Sequence, residues 1–216
     1  MGGGKSMRGR DGGGGGVGIN VINATDVWSY RHGPGNAPFS DAVNSGLRTI
    51  DNDFPGFAEG INTVDAVEIK GRGKNSILGY WDAQSKQLGM NETFQDQKTM
   101  NNVMDRAAQQ GFHPSRGNKS GTEAVAIHEA GHALTDTIAQ KTGAAGLHEV
   151  SENVVKSAYK NSGAKGGVNK FAGTISGYAQ KNYAECVAEA VADYYCNGNK
   201  AASASKAIVS ELKRIY

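Results

Sequence analysis

His128, Glu129 and His132 stand together in the run His128-Glu129-Ala130-Gly131-His132, an H-E-x-x-H pattern. On a helix, residues four apart lie one turn on and about 40° round, so both imidazoles project to one side and can share a cation. Glu129 falls elsewhere on the helix rim, where it reaches a water activated at a metal rather than the metal itself. A carboxylate so placed can take the water's proton during attack on a carbonyl. Chance alone would produce the pattern in such a composition with odds of roughly one in two hundred. The bland reading, two surface histidines beside a salt-bridging glutamate, is therefore the weaker one. Ala130 and Gly131 also leave room for close approach of another helix or a substrate.

Two histidines do not complete a catalytic zinc site, which takes three protein ligands and keeps one position open. An extended pattern with a third histidine would need Gly at 135 and His at 138, and the chain has Thr135 and Ile138 there. His32, His113 and His148 lack helical pairing and read as surface or core residues. The third ligand is better sought in Tyr183 to Tyr195, where Glu185, Glu189 and Asp193 form an i, i+4, i+8 acidic row among small and apolar side chains. Carboxylates on such a helix need a partner. A zinc ion supplies one: the first glutamate ligates it, and the next, one turn on, accepts the free N–H of a ligating histidine.

The set His128-Glu129-Ala130-Gly131-His132, Ser176-Gly177-Tyr178-Ala179-Gln180-Lys181-Asn182 and Glu185-Cys186-Val187-Ala188-Glu189-Ala190 resembles the lethal-factor-like zinc metallopeptidases, including related domains attached to phage head proteins. In that family a tyrosine seven residues before the glutamate ligand assists the transition state, the spacing of Tyr178 and Glu185. The resemblance implies Zn2+ held by His128, His132 and Glu185, Glu129 as general base, Tyr178 as donor to the developing oxyanion, and Glu189 behind a histidine ligand. It covers roughly Glu123 to Asn197. Cys186 and Val187 replace the aromatic pair usual after the glutamate ligand. A related pattern, Gly-Thr-x-Asp, would place a ligating aspartate at 176, but Gly173-Thr174-Ile175 is followed by Ser176, which leaves Glu185 the better ligand.

These residues need a scaffold. Ser120 and Glu123 stand at capping-box spacing before the apolar run Ala124 to Ile127, which predicts a helix from there to about Lys141, before Gly143. Further helices are expected from Ser40, with Val43, Leu47 and Ile50 on one face; through Met100, Val103, Met104 and Ala107, a core stripe, up to Gly111; and over about Glu149–Asn161, Tyr183–Asn197 and Ser203–Tyr216. Val17–Asn23, Thr63–Lys70, Ser76–Trp81 and Lys86–Asn91 read as strands, the last two joined by the turn Asp82-Ala83-Gln84-Ser85. Gly163 to Gly177, rich in Gly, Ser and Lys, reads as a loop or turns. The expected fold is α+β and zincin-like: a small mixed sheet packed on the His128 helix, with further C-terminal helices. The resemblance extends to the Ser76–Asn91 hairpin, and it implies that this strand lies along the cleft as the zincin edge strand and pairs with an extended substrate.

Residues 1–16, rich in glycine with Lys5, Arg8 and Arg10, read as a flexible tail, and 17–216 as one domain with its core motifs in 76–197. Gly4-Lys5-Ser6 is no phosphate loop, since no strand and earlier glycine precede it at the required spacing. A formal net charge of +2 with 20% charged residues gives no case for nucleic acid. No apolar run approaches a membrane span and no Sec-type signal is evident, so a cytoplasmic or virion-associated protein is expected. Cys186 and Cys196, about 15 Å apart along one helix, read as reduced packing residues. The expected activity is zinc-dependent cleavage of a protein or peptide substrate. Two alternatives stay open: a virion-associated assembly protein that keeps the fold and contacts capsid proteins through its tail, and an effector or toxin protease.

Overall fold

A computed structural model describes residues 37–69 and 77–216. The tail at 1–16, the strand expected at Val17–Asn23, His32, and the ends of two strands at Lys70 and Ser76 lie outside the described residues. The rest is mixed α+β, mostly helical, with a small sheet of three strands. In chain order the elements are α1 (Ala37–Asp51), β1 (Thr63–Val67), β2 (Gly79–Asp82), β3 (Gln87–Asn91), α2 (Gln97–Gln109), α3 (Gly121–Thr142), α4 (Leu147–Asn161), α5 (Val168–Gly173), α6 (Tyr183–Asn197) and α7 (Ser203–Ile215).

Helix α3 is the axis around which the others assemble; α1, α2, α4, α6 and the sheet all pack on it. Small and apolar residues line it on nearly every side, so it is buried almost all round from Gly121 to Ala139. Its start is the expected cap: Ser120 Oγ accepts the Glu123 N–H at 3.1 Å. The reciprocal half of the capping box is absent, because the Glu123 carboxylate instead accepts from Ser45 Oγ at 2.8 Å and from Lys119 Nζ. Glu123 thereby ties α3 to α1. Gly143, with φ 72°, closes the helix in the left-handed conformation that an L side chain resists.

The sheet order is β1-β3-β2, with β1 parallel and β2 antiparallel to β3. The β2–β3 hairpin turns where expected, Asp82 Oδ1 accepting the Gln84 N–H at 2.9 Å. Among the described residues β2 is an edge strand, and Gly79 lets it press on α3: a Cβ there would stand 3.1 Å from Glu129 Cγ.

Two expectations are corrected. The first helix begins at Ala37 rather than Ser40, because Pro38 in its first turn lacks only an N–H that a helix start does not use. The Gly163–Gly177 segment contains α5, since Phe171 and Ala172 are buried and the Phe171 ring packs edge-on to Tyr159 at 5.7 Å. Cys186 and Cys196 are free thiols, each raised to about 12 by burial. Among the described residues no helix is long and apolar enough to cross a membrane.

Candidate metal centre

The two histidines project from the middle of α3 toward α6. Gly131, between them, sets the distance: a Cβ at that position would lie 2.9 Å from Ala188 Cα. Backbone thus meets backbone, and the first turns of α6 reach the imidazoles. Asn182 caps α6 by accepting the Glu185 N–H at 2.9 Å, which fixes Glu185 in the first turn.

His128 Nε2 and His132 Nε2 each lie 3.3 Å from Glu185 Oε2. The three ligand atoms all fall within 4.8 Å of one another. A tetrahedral ion with donors at about 2.0–2.1 Å has edges of roughly 3.4 Å, so the two nitrogen–oxygen separations match a shared cation. The donor set of two imidazoles and a carboxylate could hold a metal, and its charges favour one. Burial opposes a charge on His128, but its hydrogen bonds to Glu185 and Glu189 raise its pKa well above the usual histidine value. Burial likewise opposes charge on Glu185, and the paired histidines still hold it far below the carboxylate range. Positive charge is strongly favoured between these groups.

Glu189, one turn beyond Glu185, is only 1% exposed, yet it is fully satisfied. Oε1 faces His128 Nδ1 at 2.8 Å and His113 Nδ1 at 2.9 Å, and Oε2 accepts from Ser176 Oγ at 2.6 Å. Burial alone would raise its pKa; the bonds from His113 and His128 lower it to about 2. A Nδ1–H donated to Glu189 leaves the Nε2 lone pair of His128 aimed at the centre.

Asp193, third in the acidic row, does not belong to this group. Its Oδ2 accepts from Ser205 Oγ at 2.6 Å and the Ala202 N–H at 2.8 Å, so it anchors the start of α7. His113, read from the sequence as an ordinary surface or core residue, is part of the site. It supports Glu189 and packs edge-on against Tyr178, ring centroids 5.1 Å apart. The sequence signal was faint: His113 lies in the short connection between the Gly111 stop and the Ser120 cap.

Tyr178 sits on a single 3-10 turn, Tyr178–Gln180, and its hydroxyl donates to Glu185 Oε1 at 3.0 Å. The Tyr178 N–H bonds Phe112 O at 3.0 Å and the Gly177 N–H bonds Gly111 O at 2.8 Å, which fastens the turn to the end of α2. Burial raises the phenol pKa, and Glu185 adds to this against the pull of Lys181, so the hydroxyl is a proton donor. Lys181 Nζ reaches both Tyr178 Oη, at 2.8 Å, and Glu185 Oε1, at 3.0 Å. These bonds raise Lys181 to about 12. Glu129 is 6% exposed, and burial raises its pKa against the pull of His128 and His132.

Two cavities meet along Gly79, Glu129 and Tyr178. One, about 330 Å³, has apolar walls from Val103, Met104, Ala107 and Val125, with Ile77 and Phe112 at its rim. The α2 stripe expected as pure core is thus shared, Met100 buried and Val103 and Ala107 facing the cavity. The other, about 280 Å³, is lined by Tyr80, Trp81, His132, His148, Asn182 and Glu185. His148, expected as a surface or core residue, stands in its wall. Comparison with protein-family models, curated proteins and solved structures finds no match to this chain.

Proposed function

We propose that the protein is a zinc-dependent endopeptidase with a zincin-like arrangement of α3, α6 and the β2 edge strand. The observation that carries this reading is the pair of 3.3 Å separations from Glu185 Oε2 to His128 and His132. Beside them stands the buried Glu129 carboxyl, which lines both cavities. Nitrogen and oxygen donors in a three-ligand set suit zinc, and the open cleft suits a catalytic rather than a purely structural ion. His128, His132 and Glu185 would hold it.

A bound zinc ion supplies Lewis acidity, polarising a peptide carbonyl and acidifying water. Glu129 accepts a proton from the attacking water as the new C–O bond forms. It then passes that proton to the amide nitrogen as the C–N bond breaks, so water and one peptide bond become an acid and an amine. Burial makes Glu129 a stronger base than a solvated glutamate, which suits a group that must take a proton. Tyr178 gives its hydrogen bond to the carbonyl oxygen as charge develops there, leaving Glu185 Oε1 to do so. Glu189, with His113 and Ser176, keeps His128 in the tautomer and orientation that present Nε2.

The test is Glu129→Gln. The variant should bind one equivalent of zinc like the wild type while peptide cleavage is lost, read by metal analysis and by mass spectrometry of a peptide-library digest. Cleavage retained by the variant at wild-type rate sinks the assignment of the base, and zinc absent from the wild type sinks the metal centre.

A further inference from the structure

Lys181 differs from Lys156 in what it pairs with. Lys156 and Glu152 form an ordinary i, i+4 pair with both side chains about half exposed, the kind of contact worth a few tenths of a kcal/mol. Lys181 is equally exposed, at 54%, but its carboxylate partner Glu185 is at 13% and belongs to the metal centre. Its ammonium also reaches a second group, Tyr178 Oη, and lies 4.6 Å from the centroid of that ring. Tyr178, Lys181 and Glu185 follow one another at three and four residues, so the end of the 3-10 turn and the start of α6 stack them on one side.

The Glu185 carboxylate is divided by this arrangement. Oε2 faces the two imidazoles, and Oε1 accepts from both Tyr178 and Lys181. Were Oε1 free, it could turn toward the same cation and occupy the position a catalytic site must keep open. When Tyr178 turns to a substrate, Lys181 is the donor left on Oε1.

We propose that Lys181 is a positioning residue that restrains the outer oxygen of Glu185, limiting that ligand to one oxygen, and steadies the Tyr178 hydroxyl above the centre. This rests on the metal centre proposed above. It predicts that Lys181→Met changes how the metal is coordinated, whereas Lys181→Arg, which can still donate to both oxygens, preserves it.

The experiment loads the full-length wild type, Lys181→Met and Lys181→Arg with Co(II) and records visible spectra together with affinities by chelator competition. The wild type and Lys181→Arg should give the intense absorption of four-coordinate Co(II). Lys181→Met should show the weaker bands of a higher coordination number and an affinity changed by about tenfold, the usual scale for losing an outer partner of a ligand. Peptide cleavage by the zinc forms should show kcat reduced in Lys181→Met with KM little altered. An unchanged spectrum and affinity in Lys181→Met, beside a wild type that does bind Co(II), overturns the role of Lys181 alone. A wild type that takes up no Co(II) overturns the metal reading and this inference together.

Discussion

Glu189 shows at the scale of one residue what the site demands. A carboxylate buried this deeply needs partners, and it draws them from three places: His113 before α3, His128 within it, and Ser176 before α6. In the proposed zinc centre, removing one should be felt at the metal and not only in stability. His113→Ala is expected to lower zinc affinity about tenfold and to reduce global stability by roughly 1–3 kcal/mol, since the buried Glu189 carboxylate loses a donor. Competition with a chromophoric chelator and a urea titration read the two effects. Unaltered affinity would mean that Ser176 alone orients Glu189 well enough for His128.

At the scale of elements, the contact between α3 and α6 decides whether ligands from two helices meet. Gly131→Val would drive a side chain into Ala188 Cα, 2.9 Å from where its Cβ must lie, at a cost of about 1–3 kcal/mol from overpacking. The expected result is a lower urea midpoint together with weaker zinc binding; a midpoint and affinity both like wild type would show that the helices can part without harm. This helix pair was the most legible part of the chain. The cap at Ser120, the stop at Gly143, and the i, i+4 pairs His128/His132 and Glu185/Glu189 are local patterns, and local patterns survive in a linear sequence. What was not legible depends on distant contacts. Asp193 continues the acidic row by spacing, but α7 folds back to claim it. Nothing in the neighbours of His113 announces that its ring lies against Tyr178, 65 residues away. α5 hides in glycine and lysine because only Phe171 and Ala172 buried in the tertiary fold make it worth forming.

For the molecule as a whole, the cleft is chemically lopsided. On one side of Glu129 the cavity combines aliphatic walls from Val103, Met104, Ala107 and Val125 with His113, Arg116 and His128, and it is edged by Ile77 and Phe112, the large hydrophobic side chains that stand most exposed among the described residues, at 53% and 47%. On the other side the walls carry imidazole, amide and phenol groups. A peptide spanning both should therefore be cut where a bulky apolar residue lies on one side of the scissile bond and a polar one is accepted on the other. Sequencing the products of a mixed-peptide digest reads this directly, and products with no apolar preference on either side would refute it. Phe112→Ser should reduce kcat/KM for the preferred peptides by about tenfold, the effect of losing an apolar contact worth roughly 1–2 kcal/mol, and leave poor substrates little changed.

The two backbone bonds from Gly177 and Tyr178 to Gly111 and Phe112 have a consequence for how the cleft opens. Amide protons in a single 3-10 turn ordinarily trade with solvent by local fraying. These two are bridged to a distant strand of chain and can be released only when the Gly111–Phe112 connection detaches from the turn. In deuterium oxide they should lag behind the amide of Lys181, whose N–H bonds only back to Tyr178 O within the turn itself. Exchange of all three at a common rapid rate would show instead that the bridge is transient. If the lag is present, the Tyr178 amide is a clock for the cleft, ticking each time the wall that carries His113 lifts away.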